Sequence, residues 1–107
     1  GMHDGVDELL LVRLASRAMA RVTFTPNIQR HIECPPKNVE GSTVREVLDA
    51  ALVCNERARS YFLDDQGGVR KHIAIFINGV QALDRAHLSD PVPPGAEVYI
   101  AQALSGG

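Results

Sequence analysis

Thr43-Val44-Arg45-Glu46-Val47-Leu48-Asp49-Ala50-Ala51-Leu52 is the stretch from which the rest of the chain can be ordered. Thr43 followed by Arg45-Glu46 fits a capping box, in which the hydroxyl accepts from the Glu46 amide and the carboxylate reaches back. Val44, Val47, Leu48, Ala51 and Leu52 fall at i, i+3, i+4, i+7 and i+8, a single buried stripe. The spacing predicts a helix from Thr43 to about Asn55. The segments around it alternate with a period of two instead, so this helix has to bury its stripe against strands.

Upstream, Arg21-Val22-Thr23-Phe24-Thr25 alternates and is rich in β-formers, Pro26-Asn27 breaks it, and Ile28 to Cys34 is a second β-like run. Together they predict an antiparallel hairpin, followed by a loop marked by Pro35, Pro36, Asn38 and Gly41. Downstream, Arg59 to Leu63 is read as one short turn, and Asp64-Asp65-Gln66-Gly67-Gly68 as a flexible turn. Lys71 to Ile77 then alternates, with Ile73, Ile75 and Ile77 on one face and His72, Ala74 and Phe76 on the other. Asn78-Gly79 is the strongest short turn signal in the chain. A loop with Asp90-Pro91 and Pro93-Pro94-Gly95 leads to a last strand, Glu97 to Ala103, with Val98 and Ile100 facing in. The tail Leu104-Ser105-Gly106-Gly107 is expected to hold no regular structure. The expected class is α+β: one main helix on a mixed sheet of four or five strands. The sequence contains no Gly-rich phosphate loop and no internal repeat.

A length of 107 residues suits one domain, and 45% apolar with 22% charged residues is ordinary for a globular protein. A net charge of -2 without a basic tract argues against nucleic-acid binding, which needs a dense positive field. Cys34 and Cys54 are too few for a disulfide framework and lack C-x-x-C spacing, which points to a reducing cytoplasm. Leu9 to Val12 is far too short for a bilayer span, and it follows Asp4, Asp7 and Glu8 where a secretory signal would be positive. Gly1 before Met2 reads as a tag remnant, which makes the C-terminal end the native one. Residues 1–19 are an expected N-terminal extension, helical over Val6 to Ala18, and residues 20–107 the working domain. A second reading starts the protein at Met19. His3, His31, His72 and His87 lack metal-ligand spacing, so no metal is expected. Cys34 and Cys54 read as small buried residues.

This element order, ending in Gly106-Gly107, resembles the ubiquitin-like β-grasp sulfur carriers, the MoaD/ThiS family that also includes the CysO type. The resemblance runs from about Ala20 to Gly107 and is most specific over Gly95-Ala96-Glu97-Val98-Tyr99-Ile100-Ala101-Gln102-Ala103-Leu104-Ser105-Gly106-Gly107. Ile75-Phe76-Ile77-Asn78-Gly79 is similar to the family's strand ending in Asn-Gly. Ala96 stands where the family has an acidic residue, and Ala101-Gln102-Ala103 where it has a proline-containing stretch. The opening Val22-Thr23-Phe24-Thr25-Pro26 and the stretch Phe62 to Ile77 are closest to the CysO type.

The resemblance implies a carrier, not an enzyme. Its Gly107 carboxylate would be activated by an E1-like adenylating enzyme of the MoeB/ThiF type, loaded by a sulfur-donating enzyme and unloaded by a downstream acceptor enzyme. No cofactor would be bound, because ATP and Mg belong to the partner. A carboxylate is a poor electrophile, which is why activation must come first. Gly106 and Gly107 lack Cβ and can enter a channel too narrow for a side chain. Two glycines at a given place arise by chance in roughly 0.5% of chains, so the ending is informative. With Leu104 and Ser105 they form the expected partner-binding tail. Ala74, Phe76, Tyr99 and Ala101, opposite the core faces of their strands, form either a docking patch or the seat of the N-terminal helix. The alternatives are the small subunit of molybdopterin synthase and a ubiquitin-like interaction or modifier module without sulfur chemistry.

Overall fold

The computed structural model describes residues 19–102. The helix expected over Val6 to Ala18 and the tail from Leu104 lie outside the described residues.

Five strands form one mixed sheet in the order β2-β1-β5-β3-β4. They are β1 (Met19–Phe24), β2 (Lys37–Glu40), β3 (Ile73–Ile77), β4 (Val80–Gln81) and β5 (Glu97–Gln102). β1 and β5 are parallel and central; the other pairs are antiparallel. Alternation puts Ala20, Val22 and Phe24 of β1 and Val98 and Ile100 of β5 into the core. Ile73 and Ile75 join them from β3, whereas Ile77 is only half-buried. Asn78 and Gly79 both have positive φ, 49° and 84°, the geometry that a two-residue hairpin turn needs between β3 and β4.

Helix α2 (Val44–Ala51) buries Val44, Val47, Leu48 and Ala51, the stripe read from the sequence. All of its first amides find acceptors. Val44 N–H donates to the Asp90 carbonyl at 3.0 Å, Arg45 N–H to Leu88 at 2.9 Å and Val47 N–H to Thr43 at 3.0 Å, while Glu46 N–H reaches Thr43 Oγ1 at 3.2 Å. The Glu46 carboxylate reaches one residue further back than a capping box places it, accepting from Ser42 N–H at 2.8 Å and from the Ser42 hydroxyl. These bonds hold the Glu46 carboxyl below its ordinary pKa.

Four local readings are corrected. The second strand is Lys37–Glu40, paired antiparallel with β1, and Ile28 to Cys34 is not a strand. Pro26 opens a short helical turn, α1 (Pro26–Gln29), because proline's fixed φ suits a first helical position. Ile28 from this turn, and Ile32 and Cys34 from the irregular chain after it, plug the core. Helix α2 ends at Ala51 and not near Asn55, whose side chain accepts from Ala58 N–H at 3.2 Å and so caps the next helix. That helix, α3 (Glu56–Phe62), is longer than the expected turn at Arg59. Asp64 to Gly68 forms a tight turn in which Asp64 Oδ1 accepts from both Gln66 and Gly68 N–H at 2.9 Å.

Two carboxylates organise the segment between β4 and β5. Asp90 accepts from Leu83 and Asp84 N–H, and Asp84 from His87 and Ser89 N–H and the Ser89 hydroxyl. The Ser89 hydroxyl, ahead of the His87 amide, lowers the Asp84 pKa from 3.8 to about 2. A depressed folded value means stabilisation that is complete above the unfolded pKa and lost as pH falls through the folded one. Denaturation midpoints of the wild type should therefore drop between pH 3.8 and about 2. Asp84→Asn should flatten that part of the profile. Equal acid slopes in the two proteins would contradict this.

No helix among the described residues is long and apolar enough to cross a membrane.

Candidate functional site

The face of the sheet away from α2 carries the candidate site. Because β3 and β5 are antiparallel neighbours in a fixed register, Ala74 lies opposite Ala101 and Phe76 opposite Tyr99. The four residues read from the sequence as a patch are thus brought together on one face. Tyr99 is 40% exposed, high for an aromatic side chain in a central strand.

The parallel pairing of β1 with β5 adds residues that sequence reasoning missed. Thr23 sits beside Tyr99, and Arg21 beside Glu97. A shallow hollow is lined by Thr23, Phe76, Asn78, Gly79, Glu97 and Tyr99. Asn78 fixes its rim, accepting from Glu97 N–H through Oδ1 at 2.9 Å and donating its own N–H to the Glu97 carbonyl at 2.8 Å. Gly79 completes the turn with φ 84°, and a Cβ there would meet nothing within 4 Å, so only its backbone angle calls for glycine. An apolar centre with the charged rim Arg21 and Glu97 has the composition of a protein-binding patch.

The tail residues Leu104, Ser105, Gly106 and Gly107 lie outside the described residues; in sequence they follow β5, the strand that carries Tyr99 and Ala101 and ends at Gln102.

Of the two thiols expected to be buried, one is and one is not. Cys34 is buried, its Sγ donating to the Ile32 carbonyl at 3.2 Å. Burial pushes its thiol pKa up against the opposing pull of Lys37, which keeps it protonated and a poor nucleophile. Cys54 is exposed, not buried, because the early end of α2 places it in the connecting turn with φ 62°. Among the described residues no three His, Cys, Asp or Glu side chains are grouped as metal ligands.

No protein-family model matches the sequence, and no curated protein does. Solved structures do match. SAMP1 from Haloferax volcanii superposes with a TM-score of 0.68 at 22% identity, covering 83% of this chain and 99% of that one. A chain of the Amycolatopsis orientalis BexX/CysO complex gives 0.65 at 21% identity, covering 82% and 99%. Urm1 from Trypanosoma brucei gives 0.60 at 16%, covering 85% and 97%. The chain has the ubiquitin-like β-grasp fold. The β-grasp fold that the resemblance over Ala20 to Gly107 implies is the fold these solved structures share with this chain. One of the solved relatives is described as a small archaeal modifier protein, from Methanosarcina acetivorans.

Proposed function

We propose that this β-grasp chain is a sulfur carrier whose domain, residues 20–107, presents the Gly107 carboxylate to an adenylating enzyme of the MoeB/ThiF type. The observation that carries the reading is the outward pair Phe76 and Tyr99 on and beside the strand that leads into Gly106-Gly107. A partner that grips this face receives the tail at its own active site.

In the first step a Gly107 carboxylate oxygen attacks the α-phosphorus of ATP, and pyrophosphate leaves. The acyl-adenylate is an electrophile where the carboxylate was not. Hydrosulfide then attacks the acyl carbon, the bond to the AMP oxygen breaks with its electron pair, and AMP and a proton depart from the thiocarboxylate. MgATP and the groups that stabilise charge at phosphorus belong to the partner. A sulfur-donating enzyme supplies the sulfur and a biosynthetic acceptor enzyme takes it.

Similarity to the small archaeal modifier protein supports a second reading, in which a lysine amine attacks the acyl carbon of the same adenylate, the bond to the AMP oxygen breaks, AMP and a proton leave, and an isopeptide bond remains. Adenylation is common to both. The test is carrier-dependent exchange of labelled pyrophosphate into ATP by the cognate adenylating enzyme. Tyr99→Asp should lower kcat/KM for the carrier at least about tenfold, the loss expected when a central aromatic anchor is removed, while leaving the melting temperature near that of the wild type. Exchange at the wild-type rate would exclude this face as the docking surface, and no exchange with the wild type would refute the carrier reading.

A further inference from the structure

The end of β5 is held by a contact that the core does not require. Tyr61, near the end of α3, donates its hydroxyl hydrogen to Gln102 Oε1 at 2.7 Å, joining positions 41 residues apart. Gln102 N–H reaches Thr25 Oγ1 at 3.3 Å, and Gln102 lies in register with Ile73. The residue from which segment 103–107 departs is therefore tied to α3, to the residue following β1, and to β3.

The ring that supplies the hydroxyl is itself oriented. It stands edge-on to Phe62 at 5.6 Å and to His72 at 5.4 Å, and is stacked on His31 at 6.4 Å. Its neighbour Phe62 is the one that fills the core, 1% exposed, whereas Tyr61 is only partly buried. A phenylalanine at position 61 would satisfy the ring contacts equally well. Among the described residues it is the bond to Gln102 that uses the phenol.

We propose that Tyr61 is a positioning residue for the reacting terminus: by fixing Gln102 it sets the point and direction from which the chain leaves for the partner's active site. The proposal rests on the carrier reading. A chain that enters a narrow channel gives up conformational freedom, and the cost grows with the number of its residues that the fold has not already fixed. Holding Gln102, the last residue of β5, excludes it from that number. The role is exerted through Gln102 and not through any contact with ATP or sulfur.

Tyr61→Phe separates this role from a structural one. In the variant the backbone order parameter of Gln102 should fall from the rigid range near 0.85 toward the flexible range below about 0.6, with little change in melting temperature. The kcat/KM for adenylation should fall about three- to tenfold, the range set by losing one hydrogen bond of ordinary net strength, with kcat at saturating carrier retained. Gln102→Ala should show the same loss, Gln102→Glu should keep the acceptor and the rate, and Tyr61→Phe combined with Gln102→Ala should be no worse than either alone. An unchanged Gln102 order parameter in Tyr61→Phe overturns the restraint. A lowered one with unchanged kcat/KM overturns the positioning role. Absence of any adenylation of the wild type instead overturns the carrier reading, and the positioning role falls with it.

Discussion

Deleting Gly107 should abolish sulfur loading altogether, while the domain stays as stable as before. The proposed chemistry uses one carboxylate, and a chain ending at Gly106 presents it one residue short of the phosphorus. Placement errors of this size remove the proximity on which such steps depend. Extension beyond Gly107 should be equally inactive, because the Gly107 carboxyl is then tied up in a peptide bond and the new terminal carboxylate lies beyond the phosphorus. Gly106→Ala should be strongly impaired, since a Cβ obstructs passage that glycine permits. Cys34→Ser combined with Cys54→Ser should load normally. Cys34 is buried with a raised pKa, and Cys54 sits in a turn remote in sequence from the tail. A dead double-cysteine variant alongside an active chain lacking Gly107 would replace the carboxylate route with a persulfide one.

The second large effect concerns stability. Phe62 is 1% exposed, stacks on Phe24 with ring centroids 5.5 Å apart and meets the Tyr61 ring edge-on. It joins α3 to the central strand β1. Phe62→Ala removes this bulk from a packed interior and should cost about 3 to 5 kcal/mol, against a total of about 5 to 15 kcal/mol for a typical domain. The melting temperature should fall by at least about 12 °C, at about 4 °C per kcal/mol. Equilibrium urea unfolding checks the figure, and a loss below about 1 kcal/mol would mean that the cavity collapses or that this packing is absent.

Legibility in the sequence followed the range of the signal. The Thr43 cap, the stripe of α2 and the Asn78-Gly79 turn are local patterns, and each was readable from a few neighbouring residues. β2 was not. As an edge strand with Val39 its only buried residue, it carries no alternation that distinguishes it from a loop. Ile28 and Ile32 misled because isoleucine is a strand former, while Pro26 had the opposite meaning as a helix opener. Asn55 was assigned to the end of one helix although its side chain favours the start of the next.

The site divided in the same way. Ala74, Phe76, Tyr99 and Ala101 were readable as outward positions because strand alternation is local, and pairing of β3 with β5 then joined them. Thr23 joins the hollow only through the sheet order, in which β1 lies parallel to β5 although the two are far apart in sequence, whereas Glu97 shares the outward face of β5 with Tyr99. The Tyr61 contact with Gln102 has no local trace at all.

The most direct test of the central claim is fragment-resolved mass spectrometry of the wild-type chain after incubation with its adenylating enzyme, MgATP and sulfide. The account predicts a single oxygen-to-sulfur replacement confined to the C-terminal peptide and localised to Gly107. Sulfur found on a peptide containing Cys34 or Cys54, with Gly107 unmodified, would contradict it.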